Sequence, residues 1–173
     1  MGGGSAQPTI ADWWVPQSLH PPYKTICMIR FEGDRHFALP PDVVAARLGD
    51  AAFLVSCLNN VEQVVEATPD RAAWKLRTGF SFLSTTLEIR LSVTGREPGR
   101  ATYEAFSKGV GASSRVLAVL TFQPADSGTT VHYTADLAER TGFLKIVSPG
   151  LIQAAAKTVI DDTWTAIEAK LCG

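Results

Sequence analysis

The stretch PGLIQAAAKTVIDDTWTAIEAKL, residues 149–171, decides the architecture. At about 100° per residue, Ile152, Ala156, Val159, Ile160, Trp164, Ile167 and Leu171 fall on one broad arc. Lys157, Thr158, Asp161, Thr165 and Glu168 fall opposite. Pro149 stands near the start, where its missing N–H is without cost, and Gly173 stands just past the end. The spacing predicts an amphipathic helix of ~35 Å. The centre of the arc is small, Ala156 and Thr163, with the bulky Ile152, Ile160, Trp164 and Ile167 around it. Small residues there either let the helix close down on a sheet or leave room for a ligand beneath it.

What precedes this helix reads mostly as strands. The chain from Thr25 through Gly33 is strand-like, and Pro40-Pro41-Asp42 then opens a short helix through Leu48. A second short helix follows from Asp50, a natural N-cap, to Leu58. Asn59-Asn60 is expected to stop it in a left-handed conformation. Six strands are expected next, over 61–67, 73–78, 82–93, 102–108, 114–122 and 129–137. Turn residues separate them: Thr68-Pro69-Asp70, Arg96-Glu97-Pro98-Gly99, Val110-Gly111 and Pro124-Ala125-Asp126-Ser127-Gly128. Trp74, Leu76 and Thr78 alternate with Lys75 and Arg77, and Thr85, Leu87, Ile89, Leu91 and Val93 alternate with Thr86, Glu88, Arg90 and Ser92. Such alternation over short connections predicts an antiparallel meander with one wet face. The phase changes between Phe80 and Thr85, which suggests a bulge in a curved sheet. The fold class expected is α+β: a curved antiparallel sheet of about seven strands around a long C-terminal helix, with two short helices after the first strand.

Composition bounds the function. A chain of 173 residues fits one domain with a sizeable core. Residues 1–24, with Trp13-Trp14, form an N-terminal extension, and 25–173 form the domain. The tryptophan pair is expected to dock on the body or on a partner, since buried aromatic surface is strongly favoured. A net charge of −1 gives no electrostatic reason to expect nucleic acid. No apolar run is long enough to cross a membrane, and no secretory signal is visible. Cys27, Cys57 and Cys172 have neither disulfide nor metal spacing, so free thiols in a reducing cytoplasm are expected.

The order and spacing of these features resemble the START-like (SRPBCC, helix-grip) superfamily, and within it the CoxG-like family named for carbon monoxide dehydrogenase. The residues that carry the resemblance are Phe31-Glu32-Gly33-Asp34, Leu39-Pro40, Val44, Leu48, Asp50, Leu54, Cys57-Leu58 and Val61-Glu62. Leu76-Arg77-Thr78-Gly79, the run 127–136 and Gly142-Phe143-Leu144 with the last helix continue it. Asn59-Asn60 stands where the family usually has Pro-Gly, Ala45 where it often has a large aromatic, and the extension before Thr25 is additional. The resemblance implies an apolar cavity between sheet and helix for a lipid- or quinone-like molecule. It further implies a molybdenum hydroxylase of the carbon-monoxide-dehydrogenase type as partner, and peripheral association with the inner face of the membrane. A homodimer is a further expectation.

Catalytic candidates are thin. His20, His36 and His132 are scattered, and no His/Cys/Asp cluster has metal-ligand spacing. Asp161-Asp162 is not a facing pair, because neighbours on a helix point about 100° apart. No catalytic residue, metal or cofactor is assigned. The ligand-lining set expected is Phe53, Trp74, Phe82, Leu87, Tyr103, Phe106, Leu120, Tyr133, Ala156, Ile160, Thr163 and Trp164. Thr163, Tyr103 and Tyr133 are its orienting polar groups. A polyketide cyclase or aromatase-like enzyme, and an interaction module with a filled core, are the two other readings.

Overall fold

The computed structural model describes residues 28–80 and 83–173, the side chains at 78–80 and 83–84 excepted. Strand β1 (Ile29–Phe37) precedes two short helices, α1 (Pro41–Leu48) and α2 (Ala51–Cys57). Six strands follow: β2 (Val61–Ala67), β3 (Arg71–Phe80), β4 (Leu83–Glu97), β5 (Arg100–Gly109), β6 (Ala112–Ala125) and β7 (Gly128–Gly142). A 3₁₀ turn (Phe143–Lys145) leads into α3 (Pro149–Cys172). The seven strands form one antiparallel sheet in the order β1-β7-β6-β5-β4-β3-β2. The α+β arrangement is the one the alternation and the final helix predict. The Trp13-Trp14 extension and Cys27 lie outside the described residues.

Local chemistry sets the boundaries. Pro41 begins α1 with Asp42 in its first turn. The Asp50 carboxylate caps α2, accepting from the N–H groups of Ala52 (2.9 Å) and Phe53 (3.3 Å). Two expectations need correction. The chain leaves α2 at Leu58, which is extended (φ −76°, ψ 131°), so the stop comes before Asn59 and Asn60. The phase change after Phe80 is no bulge. β3 ends there and β4 begins at Leu83, paired across from it, so the change of face marks a strand connection.

Register divides the sheet into two faces, because directly opposed residues share a side. Trp74, Ile89, Ser107, Ser114 and Arg140 make one such row from β3 to β7. Val93, Tyr103, Ala118, Ala135 and Phe31 make another, on the inner side. On the outer side Arg115 pairs with Glu104 (2.7 Å) and Glu139 (2.8 Å). The main core sits where the inner face meets α1, α2 and the second half of α3, around Phe37, Leu48, Tyr103, Phe122, Val131 and Trp164. A second cluster joins α2 to β3 through Ala51, Val55, Ala72 and Trp74.

The passage from β7 to α3 depends on Gly142. Its φ of 62° and ψ of −141° suit glycine alone, and a Cβ there would collide with the Gly111 carbonyl. Gly142→Ala is therefore expected to lower stability by at least about 1–3 kcal/mol. Urea unfolding checks this; an unchanged midpoint would contradict the strain.

Candidate binding site between sheet and helix

Helix α3 is fastened along its second half. The Trp164 ring lies 5.3 Å from the Tyr133 ring and 6.2 Å from that of Phe37, centroid to centroid. Ile167 is buried beside it. Arg35 of β1 donates to the Asp161 carboxylate at 2.8 Å, and Lys157 donates to its other oxygen at 2.7 Å. Lys170 donates to the Ser56 carbonyl of α2 at 2.7 Å. The first half is different. No residue from Pro149 to Thr163 is buried, and Leu151 and Val159 are 63% and 65% exposed.

This corrects the expected arc. Trp164 and Ile167 are the buried residues of α3, and Ile160 and Leu171 pack on the same core. The buried stripe is thus rotated by roughly 60° from the line through Ala156 and Thr163. Those two small residues flank the stripe on the Lys170 side, toward α2, and both are half-buried.

The inner face of the sheet shows the same asymmetry. Toward α1 it is sealed: Ala101, Tyr103, Leu120, Phe122 and Val131 are buried. Toward the start of α3, Leu76, Leu87, Ile89, Ala105, Ser107, Ser114 and Val116 are only half-buried. This part of the inner face and the first half of α3 are therefore both incompletely covered. Two donors in this region have fully buried nitrogens without a hydrogen-bond partner, Trp74 Nε1 and Arg140 Nη1.

The predicted lining residues separate accordingly. Trp74 is buried in the cluster that joins α2 to β3, Leu87 is half-buried on the same inner face, and Ala156 and Thr163 are half-buried on α3. Tyr103, Leu120 and Trp164 belong to the packed core, with Tyr133 and Ile160 packed against it. The Tyr103 hydroxyl donates to the Leu48 carbonyl at 2.7 Å, and burial pushes this phenol well above its ordinary range. The Thr163 hydroxyl donates to the Val159 carbonyl at 2.7 Å. Neither is a free orienting group. Phe53 lines a separate groove of about 510 Å³ between α1, α2 and the end of α3, under the Arg47 guanidinium at 5.7 Å. Tyr133 and Ile160 border another, of about 350 Å³, between β1 and α3. Phe106 is a correction: it stands on the outer face, 41% exposed, opposite Arg90 and Arg115. Phe82 lies outside the described residues.

Arg140 is the inner-face residue that the sequence did not single out. Among the described residues no group of three or more His, Cys, Asp or Glu side chains could hold a metal ion. Cys57 is buried, and burial raises its thiol.

A curved antiparallel sheet gripping a long C-terminal helix defines the helix-grip class, and solved structures agree. A conserved protein from Geobacillus kaustophilus superposes with a TM-score of 0.70 at 17% identity, over 83% of this chain and 95% of that one. The Zhui aromatase/cyclase from Streptomyces sp. R1128 gives 0.56 at 14%, over 83% and 93%. Ara h 8.0201 gives 0.56 at 14%, over 84% and 98%. At these identities the likeness is one of fold. The chain itself belongs to the carbon monoxide dehydrogenase CoxG family, whose model matches residues 33–172. No curated protein matches it.

The Asp161 latch titrates. Hydrogen bonding from Lys157, then from Arg35, holds its carboxyl below the ordinary range. A depressed folded value means the stabilisation is complete above the unfolded value and is lost as pH falls through the folded one. The stability advantage over Asp161→Asn is expected to be full above the ordinary carboxylate range and to be lost as pH falls below it. Thermal melts of both proteins across that range test it; a difference independent of pH would show that the latch is not ionic.

Proposed function

We propose that the chain binds a hydrophobic small molecule between the unsealed half of its inner sheet face and the first half of α3. One observation carries this reading. The core is closed at the α1 end, yet Leu87, and Leu76 and Ile89 at the edge of the Trp74 cluster, stay half-buried on the inner face, and the first half of α3 has no buried residue. Apolar surface of this kind, left concave and uncovered, favours an apolar occupant. Membership of the CoxG family supports the finer reading. The ligand is then a lipid- or quinone-like molecule, and the protein is accessory to a molybdenum enzyme of the carbon-monoxide-dehydrogenase type.

Large side chains at the occupied positions should exclude the ligand. Ala156→Trp and Thr163→Trp are each expected to weaken binding of the uncharged fluorophore N-phenyl-1-naphthylamine by about tenfold or more, since overfilling a packed space costs about 1–3 kcal/mol. Fluorescence titration measures it, and undiminished affinity in both variants would overturn the reading. Native mass spectrometry of protein purified from its own host would identify the natural occupant.

Peripheral membrane association has its own support. Val110, Phe143, Ile146 and Leu151 are exposed at 81%, 53%, 86% and 63% around the end where the site opens. They come together because the Phe143 N–H donates to the Gly111 carbonyl at 3.2 Å. Lys108 and Lys145 stand beside them. No helix of the described residues is long and apolar enough to cross a membrane, so contact through this end would be interfacial. Ile146→Asp is expected to reduce co-flotation with vesicles containing phosphatidylglycerol; equal flotation of variant and wild type would count against this surface.

A further inference from the structure

We propose that Arg140 is an anchor for the carboxylate head of an amphipathic ligand, and that the site selects acidic lipids over their neutral analogues. The inference rests on the binding reading above and adds the chemistry of the ligand's head. Arg140 faces the interior because the register of β6 against β7 shifts next to it. Arg115 pairs with Glu139 and Val116 pairs with Leu137, so Ala138 is an extra residue on β7. That bulge reverses the alternation: Glu139 turns outward to Arg115, and Arg140 stands opposite Ser114 on the inner face.

A guanidinium stays protonated at any ordinary pH, so it cannot escape burial by losing its charge. Its Nη1 is fully buried and has no hydrogen-bond partner, and Arg140 makes no ion pair among the described residues. The adjacent carboxylate in the chain, Glu139, is on the other face and held by Arg115. A half-buried cation whose one fully buried nitrogen lacks an acceptor is costly, and a carboxylate relieves that cost with the geometry a guanidinium fits best. The adjoining hydroxyls add to the same site. Ser107 Oγ and Ser114 Oγ are 2.6 Å apart, so one donates to the other and the second hydroxyl proton remains for an acceptor. From this polar end, Ile89 and then Trp74 continue the row across the sheet, so Trp74 stands about 19 Å from Arg140 at ~4.8 Å per strand.

Fluorescence titration of the full chain with cis-parinaric acid and with its methyl ester separates the two levels. Wild type is expected to bind the acid about tenfold or more tightly than the ester. Arg140→Gln should abolish that preference while keeping ester affinity, and Arg140→Lys should restore part of it. Equal binding of acid and ester by wild type, or a preference that survives in Arg140→Gln, overturns the anchor and leaves the apolar site standing. Binding of neither overturns the apolar site and the anchor with it. The wild-type comparison decides the question even where a variant does not fold.

Discussion

Everything in this fold leans on the seating of Trp164 between Phe37 and Tyr133. An indole that is 7% exposed and packed near two rings is the largest single attachment of α3 to the sheet. Ile167 buries alongside it, and polar ties from Arg35 and Lys170 flank the contact on either side. All of these lie on the second half of the helix. The first half is held by continuity of hydrogen bonding within the helix and by the turn at Gly142. A 24-residue helix seated at one end is a stiff lever over the sheet, and the space beneath its other end is fixed by geometry without needing to be filled.

This asymmetry explains how one chain has both a packed core and an open apolar face. Tyr103, Leu120, Phe122 and Val131 fill the space under α1 and α2. Close packing there gives the domain a unique structure. Toward the start of α3, the inner residues become small or polar, with Ala105, Ser107, Ser114 and Gly109 in place of large side chains. The sheet has not lost its alternation; it has lost the bulk needed to reach the helix. Leu87 illustrates the change, since its Cδ2 lies directly over the Gly109 backbone, where a Cβ would come within 2.5 Å of it.

The fold was legible in the sequence because its signals are local. Strand-like runs between turn residues, alternating clearly in several, located all six later strands, and Asp50 fixed the start of α2 as its capping chemistry requires. The site was less legible, and particular residues show why. Periodicity averages over a helix, so it weighted Ile152 and Val159 equally with Trp164 and pointed the arc toward Ala156 and Thr163. Packing is decided by the few residues that find partners, and Trp164 and Ile167 found them. Phe106 was recoverable: three residues from Tyr103 on a strand, it had to face the other way. Arg140 was not. Strict alternation from Leu137 puts it outside, and only the extra residue at Ala138 turns it inward.

The polar groups in the open half also bear on what kind of chemistry suits it. The Tyr103 hydroxyl in the packed core and the Thr163 hydroxyl on α3 donate to the Leu48 and Val159 carbonyls. His132 is on the outer face, bound to Asp34 at 2.8 Å. What remains on the inner row is a set of donors, Trp74 Nε1, Arg140 Nη1 and one serine hydroxyl, with no base among the described residues beside them. Proton transfer needs an acceptor whose pKa suits the task as well as a donor. A row of donors over an apolar bed has a simpler competence. Such a row can hold an acceptor oxygen in place and fix the direction in which an apolar body lies.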